Sequence, residues 1–179
     1  MINDIQQILI DEEAISARIE QLAQILDADY EGKKPLMVCI LKGSILFFAE
    51  LIKKMSIRQE LDFMSVSSYG ASTYSSGTVK MIKDLNTSIE GRHVVLVEDI
   101  VDTGHTLSYL KEILLARNPA SLKVCTLLDK KCRRTVKMDA DYIGFDIDDY
   151  FVVGFGLDYD EDYRNLPFIG VLKPEVYTK

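Results

Sequence analysis

Three carboxylates and a hydroxyl-rich turn fall within nine residues, Glu98-Asp99-Ile100-Val101-Asp102-Thr103-Gly104-His105-Thr106. They follow the apolar run His93 to Val97 and precede Leu107, Leu110, Ile113 and Leu114, which recur at helical spacing. The order is therefore strand, acidic turn, helix. The first amides of a helix have no intrahelical acceptor, and small or hydroxylated residues let an anion reach them, most naturally a phosphate. Carboxylates beside such a pocket repel the anion unless they bind its hydroxyls or a metal. A sugar phosphate accompanied by Mg²⁺ meets both demands. A first turn that is acidic for dipole reasons alone leaves unexplained the two acids still at the strand end.

The elements that must position this segment can be read outward from it. Asp11-Glu12-Glu13 open an amphipathic helix carrying Ile15, Ile19, Leu22, Ala23 and Leu26, which ends near Gly32 and Pro35. Leu36 to Leu41 is wholly apolar, as expected of a strand buried on both faces, and Ser44 is placed to cap a helix running to about Met55. Further strands are expected at Leu61 to Val66, Val79 to Ile82 and Leu122 to Leu128. The Ser/Gly-rich insert Ser67 to Gly77 reads as a loop over a site. Strand and helix alternating in this way indicate an α/β fold with a mainly parallel twisted sheet flanked by helices. In such a sheet, ligands sit beyond the carboxyl ends of the strands. Tyr142 to Phe145, Phe151 to Phe155 and Phe168 to Leu172 read as short strands that extend the sheet or form a hood.

Composition limits the partners. The chain has 179 residues, 28 acidic against 21 basic, and a formal charge of −7. That surplus argues against nucleic acid or an anionic membrane as partner. Nine of the acids lie between Asp139 and Asp162, a stretch with no Lys or Arg. Asp139, Asp141, Asp146, Asp148 and Asp149 read there as a solvated face. No apolar run is long enough to span a membrane and no cationic leader opens the chain, so a cytoplasmic protein is expected. Cys39, Cys125 and Cys132 form neither a CxxC pair nor an even framework, which suits idle thiols in a reducing compartment.

The segment VVLVEDIVDTGHTL, Val94 to Leu107, resembles the phosphoribosyl pyrophosphate motif of the type I phosphoribosyltransferases. LKGS at Leu41 to Ser44, SSYGASTYSSG at Ser67 to Gly77, LLDKKCRRT at Leu127 to Thr135 and YFVVGFGLDYDEDYRNLP at Tyr150 to Pro167 follow in the order found in the bacterial hypoxanthine branch. The resemblance covers nearly the whole chain. It implies one phosphoribosyltransferase domain over residues 1–179, its hood built from the N-terminal segment and the C-terminal third. It also implies transfer of a phosphoribosyl group from phosphoribosyl pyrophosphate to a 6-oxopurine, giving IMP or GMP and pyrophosphate in purine salvage.

By the same resemblance, Glu98 and Asp99 bind the ribose hydroxyls and, with Asp158, serve Mg²⁺. Asp102 lies near purine N7 as general base or as electrostatic partner of the oxocarbenium-like transition state. Thr103, Gly104, His105 and Thr106 join Asp102 around the 5′-phosphate, His105 through its backbone. Lys130 donates to the purine 6-oxygen and so rejects adenine, Phe151 stacks on the purine, and the Val152 carbonyl accepts from its ring. Lys42, Gly43 and Arg164 hold the pyrophosphate, with a cis peptide in the Leu41-Lys42-Gly43 loop, and Ser68 and Tyr69 form the tip of a closing lid. Lys131, Arg133 and Arg134 read as a solvated basic loop, with Arg134 placed to help close the site. Family members assemble as homodimers or homotetramers.

Other readings lack their residues. Lys42-Gly43-Ser44 has neither the spacing nor the order of a P-loop, and Gly154 to Tyr159 stops at two glycines, short of a dinucleotide fingerprint. A receiver domain has an acidic strand end but not the Lys130 loop or the Phe151 segment. A nucleic-acid-binding regulator on the same fold would need a dense basic stretch that is missing. A xanthine- or guanine-preferring transferase remains the alternative within the enzymes.

Overall fold

In the computed structural model, which describes residues 1–68 and 79–178, strand β1 (Ile5–Ile10) leads directly into helix α1 (Glu12–Asp29). Asp11 starts that helix from an extended conformation, its carboxylate accepting from the Ala14 amide at 2.8 Å. The helix buries the expected stripe, Ile15, Ile19, Leu22, Ala23 and Leu26. Then come β2 (Leu36–Leu41), α2 (Ile45–Lys54), β3 (Glu60–Ser68), β4 (Val79–Lys83), β5 (His93–Val101), α3 (His105–Leu115) and β6 (Ser121–Asp129). Strands β7 (Tyr142–Asp146), β8 (Val152–Val153) and β9 (Ile169–Leu172) and the short α4 (Pro174–Tyr177) complete the order.

Six strands form one sheet in the order β4-β3-β2-β5-β6-β7, parallel except for β4 at its edge. Alternation along its strands divides the core between two faces. Met37 and Cys39 of β2, Val95 and Val97 of β5 and Cys125 and Leu127 of β6 pack with α1 and α2. Leu36, Val38, Ile40, Val94, Leu96 and Val124 point the other way, toward Leu107, Leu110 and Leu114 of α3. This double burial explains why the strands read as unbroken apolar runs.

The last third divides between two roles. Tyr142–Asp146 extends the central sheet, whereas β8 and β9 join β1 in a separate antiparallel sheet ordered β1-β9-β8. Ile10, Val152, Ile169 and Val171 of that small sheet pack into the same apolar cluster as α1 and α2, so the hood is seated on the main body. Two expectations change in detail. β5 runs to Val101, which places Glu98 and Asp99 within its last residues. Ser44 does not cap α2; its hydroxyl turns back to the Ile40 carbonyl at 2.5 Å, fully buried beside Cys39. Among the described residues, no helix is long and apolar enough to cross a membrane.

Candidate active site

The strand order reverses its direction of travel between β2 and β5, since β2 connects onward to β3 on one side and β5 to β6 on the other. The crevice at such a switch point is where an α/β sheet accepts ligands. Lys42 and Gly43 leave the sheet from β2, and Glu98, Asp99 and Asp102 come from the end of β5. Parallel pairing sets Val101 opposite Asp129, so Asp102 and Lys130 emerge side by side. The Lys130 amide then bonds the Val101 carbonyl at 2.9 Å.

Two adjoining cavities result. One of about 410 Å³ is lined by Asp102, Lys130, Phe151 and Val152, together with Arg133 and Tyr177. The other, about 190 Å³, is enclosed by Glu98 to Gly104 with Thr106 and Leu107. They share Ile100 and Asp102. Gly104 adopts φ 89° at the start of α3, and a side chain there would press on Arg134, Val136 and Met138. Only glycine fits that corner without strain. The His105 ring turns away from the smaller cavity to meet Thr135 at 3.0 Å, consistent with a backbone role alone.

In the larger cavity, Lys130 is a buried cation whose ammonium donates to the Tyr150 carbonyl at 2.8 Å and lies 3.8 Å from Asp149. Phe151 is 39% exposed, a large value for an aromatic ring unless a ligand covers it. Tyr177 stacks against it at 4.4 Å and Tyr159 meets it edge-on at 5.6 Å.

The carboxylates differ in kind. Burial, reinforced by the neighbouring Asp99 charge, holds the Glu98 carboxyl well above the ordinary carboxylate range, and burial also raises Asp99. One Glu98 oxygen and one Asp102 oxygen are enclosed without a hydrogen-bond partner among the described residues. The unpaired Glu98 oxygen and the raised pair are what a cation or a sugar hydroxyl would relieve. No group of three or more His, Cys, Asp or Glu side chains able to hold an ion occurs among the described residues. Asp158 pairs with Arg164 at 2.8 Å and accepts from the Glu161 amide. Glu98 and Asp99 offer hard carboxylate oxygens of the kind Mg²⁺ takes while keeping several waters.

The loop from Leu41 to Gly43 is packed from both sides. A Cβ on Gly43 would lie 1.7 Å from an Asp99 oxygen, and one on Gly156 would lie 2.0 Å from the Gly43 carbonyl oxygen. The Leu41–Lys42 peptide is cis. Lys42 and Arg164 both reach Glu161, at 3.1 and 3.3 Å. Tyr69 lies outside the described residues, as does the side chain of Ser68.

Against these residues, the family model of the phosphoribosyl transferase domain matches residues 6–160. The chain belongs to the phosphoribosyltransferase family. The hypoxanthine-guanine phosphoribosyltransferase of Streptococcus thermophilus is 53% identical over 176 residues, covering 98% of both chains. That of Lactococcus lactis is 55% identical over 98% of this chain and 95% of its own length. Among solved structures, a hypoxanthine phosphoribosyltransferase from Staphylococcus aureus superposes with a TM-score of 0.96 at 49% identity, covering 100% of this chain and 97% of that one.

Some residues at the phosphoribosyltransferase site play other parts than the sequence suggested, and some were not singled out there. Arg134 donates to the carbonyls of Val101 and Asp102 and pairs with Asp129, which is 1% exposed. It is thus an internal tie between the two strand ends, not a solvated loop residue. Arg133 approaches Asp102 at 3.5 Å and Asp149 at 3.6 Å, so Asp149 belongs to the cleft and not to a bare acidic face. An acid closing an apolar strand, as Asp129 does, was the available signal for the tie. Nothing local marked Tyr177 or Glu161.

Proposed function

We infer that this phosphoribosyltransferase works in purine salvage, moving the 5-phosphoribosyl group of phosphoribosyl pyrophosphate onto hypoxanthine and guanine to give IMP or GMP and pyrophosphate. The observation that carries this reading is the pair of adjoining cavities meeting at Asp102, one walled by an aromatic ring and a buried lysine, the other by helix-start amides and acids. They hold purine and 5-phosphate on either side of the bond being made.

In this reading the amides from Thr103 to Thr106 take the 5-phosphate, and Glu98 and Asp99 accept from the ribose hydroxyls. Glu98 and Asp99, with Asp158 nearby, would hold Mg²⁺, which would supply charge neutralisation for the departing pyrophosphate. Lys42, the Gly43 amide and Arg164 hold that leaving group. Lys130 donates to the 6-oxygen of the purine, and a 6-amino group, itself a donor, is refused. Phe151 stacks on the base while the Val152 carbonyl accepts from its ring. Asp102, at the junction, takes the purine N7 proton or faces the developing ribosyl cation, and Ser68 and Tyr69 contribute to closure over the site. One domain over residues 1–179, a cytoplasmic location and assembly as a homodimer or homotetramer complete the reading.

The test is to supply phosphoribosyl pyrophosphate and Mg²⁺ with hypoxanthine, guanine, xanthine and adenine in turn and to follow nucleotide formation. Turnover with hypoxanthine and guanine and none with adenine is expected. Failure with every 6-oxopurine would overturn the reading.

A further inference from the structure

Glu161 occupies a position that neither catalysis nor folding explains. Its carboxylate receives the Lys42 ammonium on both oxygens at 3.1 Å, and Arg164 Nη2 on one of them at 3.3 Å. One carboxylate therefore engages both cations assigned to the pyrophosphate. It is brought there by a turn in which Asp160, Glu161 and Tyr163 all have positive φ, at 54°, 66° and 75°. Side chains tolerate that region poorly, and such conformations cluster where a site dictates them. The Glu161 amide is fixed in turn by Asp158 at 3.0 Å.

A second feature of the same group is independent of Glu161. Arg164 Nη1 donates to the Gly156 carbonyl at 2.8 Å, but its Nε is enclosed with no acceptor among the described residues. A buried donor left open is costly unless a ligand fills it. The guanidinium is thus anchored at one end by Gly156 and shared between Asp158 at 2.8 Å and Glu161 at 3.3 Å at the other, with Nε still short of an acceptor.

Lys42 and Glu161 are 67% and 65% exposed as side chains, and ion pairs so open to water hold their partners weakly. Asp158, 2.8 Å from Arg164 Nη2, is the second carboxylate of the group, and Glu161 is the one that bridges both cations. A diphosphate brings more charge and more acceptor oxygens to the same place, including one for Nε.

We propose that Glu161 is a built-in competitor for the pyrophosphate subsite, holding Lys42 and Arg164 in an anion-receiving arrangement and leaving them when a diphosphate enters. This rests on the assignment of Lys42 and Arg164 to the pyrophosphate. Glu161 then tunes affinity for both the phosphoribosyl donor and the released product: it weakens donor binding and speeds departure of pyrophosphate.

The direct probe is inorganic pyrophosphate with Mg²⁺, titrated by calorimetry into the full chain, with Glu161→Gln, Glu161→Asp and Lys42→Gln as variants. Glu161→Gln is expected to bind roughly threefold to tenfold more tightly than the parent, a gain that shrinks as added salt screens the parent's ion pairs. Glu161→Asp, whose shorter carboxylate keeps its charge, is expected to fall between the two. Lys42→Gln should weaken binding. Unchanged or weaker binding by Glu161→Gln, beside a weakened Lys42→Gln, would overturn the proposal and leave the subsite assignment standing. Indifference to Lys42→Gln would overturn the assignment and the proposal together.

Discussion

Gly43→Ala is the smallest change that tests how the site is held together. The added methyl would lie 1.7 Å from one Asp99 oxygen and 2.8 Å from its carboxyl carbon, against 3.4 Å for ordinary contact. About 1.7 Å of movement is therefore needed. Asp99 cannot supply it freely, because it is 9% exposed and its other oxygen accepts from the Ile100 amide at 2.7 Å. The loop cannot retreat toward the hood either, since Gly156 packs against the Gly43 carbonyl so closely that a Cβ there would come within 2.0 Å. Either response displaces a group assigned to substrate. A misplacement of about 1 Å costs on the order of 10²-fold in rate, so kcat/KM for phosphoribosyl pyrophosphate is expected to fall by about 10²-fold or more. Overpacking should also destabilise the fold by roughly 1–3 kcal/mol. Steady-state kinetics and urea unfolding measure the two effects. In an Asp99→Ala background the colliding oxygen is gone, and the stability cost of Gly43→Ala should shrink by about half or more. Activity within about threefold of the parent, or a stability cost unchanged by Asp99→Ala, would refute the packing reasoning.

Glu98→Gln should stabilise the fold while impairing turnover. The folded-state carboxyl titrates well above its ordinary value because of burial and then the Asp99 charge, so the charged form is penalised as pH rises through that folded value. Below it Glu98 is already neutral. In metal-free buffer, scanning calorimetry should therefore show a gain of about 2–4 °C near pH 8, the shift that ~1 kcal/mol gives in a chain of this size, and little gain near pH 5; a gain independent of pH would contradict the assignment. Arg134→Lys keeps a charge opposite buried Asp129 but cannot serve two carbonyls and a carboxylate at once. It should lower the melting temperature by about 4–8 °C and kcat by about tenfold, whereas Arg134→Met, leaving buried Asp129 only the exposed Lys131 ammonium at 4.0 Å, should cost roughly 3 kcal/mol in urea unfolding. Lys130→Gln should narrow the preference for hypoxanthine over adenine by at least about tenfold in competition assays, and an unaltered purine profile would remove Lys130 from base recognition.

The parts legible in the sequence are those whose neighbours in space are also neighbours in the chain or whose environment is uniform. β2, β5 and β6 read as strands because both faces are buried, and the end of β5 with the turn after it declares its chemistry through Glu98, Asp99, Asp102 and Thr103 within six residues. β1 carries no such signal, since Ile5–Ile10 is an edge strand with most side chains half or fully exposed. β8 spans only Val152 and Val153, too short for any periodicity. Ser44 has the composition of a cap, yet the buried Ile40 carbonyl is the acceptor its hydroxyl uses. Arg134 sits among Lys131 and Arg133 in a run that resembles a solvated loop, and its burial depends on Asp102 and Val101 more than thirty residues away. Glu161 and Tyr177 enter the site only through contacts made across the fold.

The central claim is that Asp102, where the two cavities meet, acts on the purine as the bond to ribose forms. Single-turnover measurement of Asp102→Asn with hypoxanthine, phosphoribosyl pyrophosphate and Mg²⁺ tests it most directly. The expected result is a rate of nucleotide formation lower by roughly 10²-fold or more, with phosphoribosyl pyrophosphate affinity within about threefold of the parent. A rate equal to the parent's, or a loss confined to phosphoribosyl pyrophosphate binding, would contradict it.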